Sequence, residues 1–163
     1  MTPLLDAGQR WRVIAGDTLE LLPDLPCASV DAVVCDPPYG IDFNNQKWDG
    51  SDIRHIGRGG RRRSGISPGQ AFQNWTTLWA AELCRVLKPG GHLVAFAAPR
   101  MAHRLTSGLE DGGLEIRDML MWMFGTGMPK SRRLAGGQGT ALKPFYEPII
   151  LARRPLEGAV ASR

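Results

Sequence analysis

Asp36, Pro37, Pro38 and Tyr39 are the residues of this chain whose types and spacing point to chemistry. They follow the apolar run 30–35 (V-D-A-V-V-C). Together they offer one carboxylate, one tethered carbonyl and one aromatic face. An exocyclic amine on adenine or cytosine is a poor nucleophile, because its lone pair is delocalised into the ring. A carboxylate and a nearby backbone carbonyl can each accept one of its N–H bonds, which favours a pyramidal nitrogen with a localised lone pair. An aromatic ring can stack on such a base once it has left the duplex. In this tetrapeptide Asp36 and the Pro37 carbonyl are the candidate acceptors, and Tyr39 is the candidate stacker.

These groups must be held at the end of a rigid element. A short Val-rich run reads as a buried parallel strand. Two prolines then stop it, since Pro fixes φ and donates nothing to a ladder. The residue before a Pro is pushed to extended geometry, so Asp36 is expected to stay strand-like. The run is apolar enough for burial on both faces and pairing on both edges.

The flanking sequence alternates strands and helices. Residues 11–15 (W-R-V-I-A) read as a strand, and residues 18–22 as a helix after Gly16-Asp17. Residues 68–87 read as an amphipathic helix whose stripe is Phe72, Trp75, Leu78, Trp79, Leu83, Val86 and Leu87. Ser67 is its expected N-cap, with Pro68 in the first turn. Trp75 and Trp79 fit the core better than base stacking. A strand over 92–98, a helix over 101–110, a strand over 115–124 and a last strand after Pro144 complete an α/β pattern.

Asp-Pro-Pro-Tyr after a buried strand resembles the signature of S-adenosylmethionine-dependent DNA amino-methyltransferases, in their permuted branch. Three other stretches carry the same resemblance: Leu87-Lys88-Pro89-Gly90-Gly91 before a strand, Gly125-Thr126-Gly127-Met128-Pro129-Lys130-Ser131, and Lys143-Pro144 through Glu147-Pro148. The resemblance implies a Rossmann-like sheet with helices on both faces. It implies methyl transfer from S-adenosylmethionine to a flipped base in double-stranded DNA. Adenine N6 is favoured over cytosine N4 because Asp, not Ser, opens the tetrapeptide. It places Asp36, Pro37, Pro38 and Tyr39 in the catalytic role, and Asp17, Asp36 and Pro37 beside the cofactor. Asp17 serves equally well as a helix N-cap. Trp48, in the loop 40–50, either stacks or wedges at the base or pins the loop to the body.

The same branch carries an Asp-Pro-Phe-x-Gly-x-Gly-like cofactor loop, and this sequence has no such stretch. Two sheet strands are therefore expected to be missing, so the chain reads as one catalytic domain in truncated form, over residues 1–163. A complementing chain or a homodimer would make good the deficit. Other readings are a non-catalytic DNA-binding or complementing subunit, or a methyltransferase acting on cytosine N4 or on RNA. With one edge of the 30–35 strand unpartnered, either residues 11–15 slide in beside it or the chain self-associates there.

Charge is distributed unevenly. Residues 1–53 carry nine acids and three bases, whereas residues 54–163 carry seven acids and seventeen bases. A basic half suits a polyanion. Arg54, Arg58, Arg61, Arg62 and Arg63 fall among glycines, and the stretch of about 50–67 reads as a flexible phosphate-contacting loop. Lys130, Arg132 and Arg133 are further candidates, in a second flexible loop of about 125–140. The three cysteines have no metal-ligand spacing, and no metal is expected. No run is long and apolar enough to span a bilayer, and the cysteine usage suits the cytoplasm.

Overall fold

A computed structural model describes residues 10–60, 65–127 and 145–157. Four strands form one sheet: β1 (Val30–Cys35), β2 (Leu87–Phe96), β3 (Glu115–Met123) and β4 (Tyr146–Arg153). Their order is β1-β2-β4-β3. β1 and β2 are parallel, with Val33 opposite Leu93 and Cys35 opposite Ala95. β4 runs antiparallel to both β2 and β3. The helices are α1 (Thr18–Leu21), α2 (Ser51–Gly57), α3 (Pro68–Val86) and α4 (Ala102–Asp111).

α3 begins for a local reason. The Ser67 hydroxyl accepts from the Gln70 amide at 3.1 Å, and Pro68 occupies the first turn, where its missing N–H costs nothing. The helix stops at Val86, and β2 starts at once with Leu87. Lys88-Pro89-Gly90-Gly91 lies inside β2 as an irregularity opposite Asp31, so the strand begins earlier than the expected 92. The face of α3 formed by Phe72, Trp75, Trp79, Leu83 and Val86 is buried. Leu78, expected in that stripe, is 48% exposed and points away from it. Phe72–Trp75 and Trp75–Trp79 are tilted and edge-to-face pairs at 5.7 and 6.0 Å, so both tryptophans belong to the core.

The core lies between this helix layer and one face of the sheet. Val33, Cys35, Leu93, Ala95, Ile150 and Ala152 face it from the strands, and Leu105 and Leu109 from α4. Full burial of Leu93, Leu105, Leu109 and Ile150 contributes about 1.5–3 kcal/mol each. The chain has the expected α/β sheet, but among the described residues the helices cover one face only. Val34 is accordingly 74% exposed. β1 is therefore not buried on both faces, and it is an edge strand rather than one paired on both sides.

Two further expectations are corrected. Residues 11–15 form no strand and do not pair with β1; Trp11 and Val13 are 76% and 80% exposed. A short apolar run becomes a strand only when a sheet edge and a covering layer receive it. Residues 51–57, expected to be flexible, form α2 and pack on α3 through buried Ile53 and Gly57. The arginines and glycines that follow it in sequence obscured a one-sided helix. Residues 61–64, and 128 onward in the second expected loop, lie outside the described residues.

Candidate active site

β1 delivers Asp36 at its carboxyl end, and Pro37-Pro38 turns the chain out of the sheet. Tyr39 follows, and then Gly40, with φ of +68°. A Cβ at Gly40 would lie 2.4 Å from the Phe72 ring of α3, so both the left-handed conformation and the close approach demand glycine. This contact anchors the tetrapeptide to the core.

The next ten residues curl over the tetrapeptide. A turn over Phe43–Asn45, with Asn44 and Asn45 left-handed, and a single 3₁₀ turn, Lys47–Asp49, shape them. Asp49 is only 1% exposed. One of its carboxylate oxygens accepts from the Gly40 amide at 2.8 Å, the other from Ile41 and Phe43 at 3.1 and 2.7 Å. From outside, Arg54 on α2 makes a two-pronged pair with Asp42, at 2.7 and 2.9 Å. Hydrogen bonding to Arg54 holds the Asp42 carboxyl below its usual range, with Arg100 adding to the effect. Arg100, just beyond β2, donates to the Ile41 carbonyl at 3.0 Å.

The result is a cleft of about 510 Å³. Asp36, Pro37, Pro38 and Tyr39 form one side; Ile41, Phe43, Trp48 and Asp49 form the loop side; Glu147 of β4 closes it. Trp48 is 53% exposed and Phe43 47%. Burial chiefly, then hydrogen bonding to Asp36 and the charge of Glu147, push the Tyr39 phenol well above its ordinary range. Tyr39 is therefore a neutral ring at working pH. Desolvation pushes the Cys35 thiol up to about 12, with Asp36 adding to it, so this neighbour of the tetrapeptide is an inert packing group.

Proteins with this arrangement are known. A family described as DNA methylase matches residues 30–157, from the start of β1 to beyond β4. The chain belongs to the DNA methylase family.

Two curated relatives of this DNA methylase are the type II methyltransferase M.HindIII of Haemophilus influenzae and M.BglII of Bacillus subtilis. Each is 27% identical; the alignments cover 85% and 88% of this chain but 56% and 39% of the relatives. The chain thus spans about half the length of the curated relatives it matches, or less. Among solved structures, a cytosine-N4-specific PvuII DNA methyltransferase superposes with a TM-score of 0.62 at 17% identity, over 85% of this chain and 47% of that one. TTHA0409 of Thermus thermophilus, described as a candidate DNA modification methylase and solved with S-adenosyl-L-methionine, superposes at 0.55 and 22% identity, over 91% and 57%. These likenesses show the Rossmann-like methyltransferase fold. S-adenosylmethionine is the methyl donor of the family.

The fold brings Asp36, Pro37, Pro38, Tyr39 and Trp48 together around one cleft. It does not bring Asp17 there. That carboxylate caps α1 by accepting from the Leu19 amide at 2.9 Å, and Asp17 is not among the residues lining the cleft. Arg54 is engaged by Asp42, and Arg58 ends α2, half-buried. Arg61, Arg62, Arg63, Lys130, Arg132 and Arg133 lie outside the described residues. Asp49, Arg100 and Glu147 were not singled out from the sequence. Glu147 did stand in a stretch that carried the family resemblance. Arg100 had no signal beyond its position after an apolar strand.

Proposed function

We propose that this chain forms the target-base half of a DNA amino-methyltransferase acting on adenine N6. The observation that carries the reading is the cleft in which Asp36 and the Pro37-Pro38 turn face aromatic and apolar walls. Its carboxyl groups, Asp36 and Glu147, and its rings suit a planar base with an amine, and suit a cationic sulfonium beside it. S-adenosylmethionine, when bound, supplies an electrophilic methyl on a positively charged sulfur. Asp36 and Pro37 are the residues proposed to hold it; Asp17, whose carboxylate caps α1, stands outside the cleft.

Asp36 accepts one amine N–H and the Pro37 carbonyl the other. Both bonds strengthen as the nitrogen pyramidalises, so they contribute mainly in the transition state. Tyr39 stacks on the base, and its neutral phenol lets it lie close to two acids. Trp48 closes the outer side of the stack. As the N–C bond forms and the C–S bond breaks, the amine becomes cationic, and Asp36 stabilises it until a proton leaves for solvent. Asp at the first position of the tetrapeptide favours adenine over cytosine. The arginines of α2 and the following loop, Arg54, Arg58, Arg61, Arg62 and Arg63, with Lys130, Arg132 and Arg133, contact phosphates of double-stranded DNA in the cytoplasm.

A second reading concerns completeness, and the edge of β1, unpaired among the described residues, favours it. Strands that pair with β1 come from elsewhere, either in continuation of the chain or from a complementing chain or second copy. Residues 1–163 by themselves then bind S-adenosylmethionine weakly, and calorimetric titration checks this.

The deciding experiment is Asp36→Ala in the complete active assembly, assayed by labelled-methyl transfer and DNA retention. Turnover is expected to vanish while DNA affinity holds, because the lost contact belongs to the transition state. Near-normal turnover would remove Asp36 from the mechanism.

A further inference from the structure

We propose that Asp49 is a positioning residue that sets the base-facing wall of the cleft, an inference that rests on the base-binding reading above. A carboxylate this deeply buried persists only if its lone pairs are satisfied. Here three backbone amides, from Gly40, Ile41 and Phe43, do so at 2.7–3.1 Å. Charge-assisted bonds of this kind are short and strong. Both oxygens accept from the backbone of its own loop, so Asp49 acts on the loop's shape and differs in role from Asp36.

The loop it gathers would not hold its shape unaided. Asp42, Asn44 and Asn45 have φ of +55°, +50° and +57°. Such conformations persist only where the surroundings over-determine them. The Asp42 amide also donates to the Asp49 carbonyl, at 3.2 Å, so main chain and side chain of Asp49 grip the same segment. Arg54 and Arg100 brace its outer side. Asp49 occupies the same single turn as Trp48. Driving Asp49 inward leaves Trp48 on the outer flank, half-exposed at the cleft. The inward carboxylate and the outward indole are thus one device: the first fixes where the second stands.

Asp49→Asn tests this with little change of shape. The amide can keep one oxygen, which serves Ile41 and Phe43, but its NH₂ then faces the Gly40 N–H. The full chain is compared with Asp49→Asn and Asp49→Ala by amide hydrogen exchange. Binding of 2′-deoxyadenosine is followed by the fluorescence that Trp48→Phe removes. In Asp49→Asn the Gly40 amide is expected to exchange about tenfold faster or more, as a charge-assisted bond is lost. In Asp49→Ala all three amides do so. The amides of β2 and α3 stay protected in both variants. Nucleoside affinity falls about tenfold with the loss of that bond. Unchanged exchange at Gly40, Ile41 and Phe43 in Asp49→Ala overturns the proposal. So does altered exchange with unaltered nucleoside affinity. If the unmutated chain does not bind 2′-deoxyadenosine, the base-site reading fails, and the exchange data alone decide the clamp.

Discussion

Gly57→Ala is a sharp test of how the site is supported. Alanine ordinarily gains up to about 1 kcal/mol over glycine in a helix interior, so propensity alone predicts stabilisation. The structure predicts the reverse. A Cβ at Gly57 would lie 1.8 Å from the Ala71 carbonyl oxygen and 2.7 Å from its carbon. Both are backbone atoms of α3, and Ala71 is fully buried, so neither can yield. α2 must instead retreat by about an ångström, a gap that already forfeits a quarter to a half of each dispersion contact. It also stretches the bond from the Asn74 amide to the Gly57 carbonyl, now 3.0 Å, whose loss costs about 0.5–1.5 kcal/mol. Ile53, 3% exposed at the same seam, is partly uncovered. With overpacking typically costing about 1–3 kcal/mol, the net destabilisation is about 2 kcal/mol. At about 2 kcal/mol per molar urea, the midpoint falls by about 1 M. Hydrogen exchange across α2 should accelerate in parallel, and Arg54, carried on that helix, should loosen its hold on Asp42. Gly125→Ala, whose Cβ meets nothing within 4 Å, is the control and should stay within about 0.5 kcal/mol. An unchanged or raised midpoint together with unchanged α2 exchange in Gly57→Ala would refute the packing argument.

Four other outcomes are expected. Replacing Arg61, Arg62 and Arg63 with Ala should weaken binding to unrelated DNA sequences alike and flatten the log–log salt slope by up to about 0.9 per lost phosphate contact; an unchanged slope would make the stretch a solvated tether. Exposed Cys27 should alkylate first at pH 8 and Cys35 last, because a thiol at about 12 is ionised in about one molecule in 10⁴ at that pH; equal rates, measured by peptide mass mapping, would contradict the burial. Asp42 has a folded pKa below its unfolded value, so its pairing with Arg54 stabilises above pH ~4 and is lost as pH falls through the lower folded value; the gap in urea midpoint between the unmutated chain and Asp42→Asn, worth under about 1 kcal/mol for a half-exposed pair, should close between pH 5 and pH 2, and a pH-independent gap would argue otherwise. Sedimentation should show association that rises with concentration and drops in Val34→Lys, since β1 offers a free edge; a monomer at all concentrations would show that edge to be inert.

What could be read from the sequence followed the strength of its physical signal. The Val-rich run closed by two prolines does form a parallel strand, though at the sheet edge with one face exposed; the 3.6-residue stripe of α3, Leu78 apart, and the apolar β2 and β4 fold as their patterns indicate. Trp75 and Trp79 sit in the core for the same reason. Residues 11–15 are a short, mostly apolar run of the strand type, but a strand also needs a sheet edge to pair with, and this segment does not join the sheet. α2 was hidden because it is short and its packing depends on Ile53 and on the missing side chain of Gly57, while the arginines and glycines that follow it set the character of the stretch. Asp49 was illegible for another reason. Its partners are backbone amides, which every residue possesses and which leave no trace in sequence. Asp17 was visible as a cap and as a cofactor neighbour, and its bond to the Leu19 amide is the cap.

The left-handed residues of the cleft loop also bear on how this protein can vary over generations. At 42, 44 and 45 the backbone admits Asn, Asp or Gly readily, and excludes Val, Ile or Thr at a cost of about 1–3 kcal/mol each. Asp42 is further bound by its charge to Arg54. Drift at these positions is confined to a small alphabet, whatever the cleft binds. Phe43 stands in their midst with ordinary backbone geometry and its ring on the cleft wall. It is the position in this run where almost any side chain can be tried without unsettling the loop. New preferences for what enters the cleft have their easiest route through that single codon.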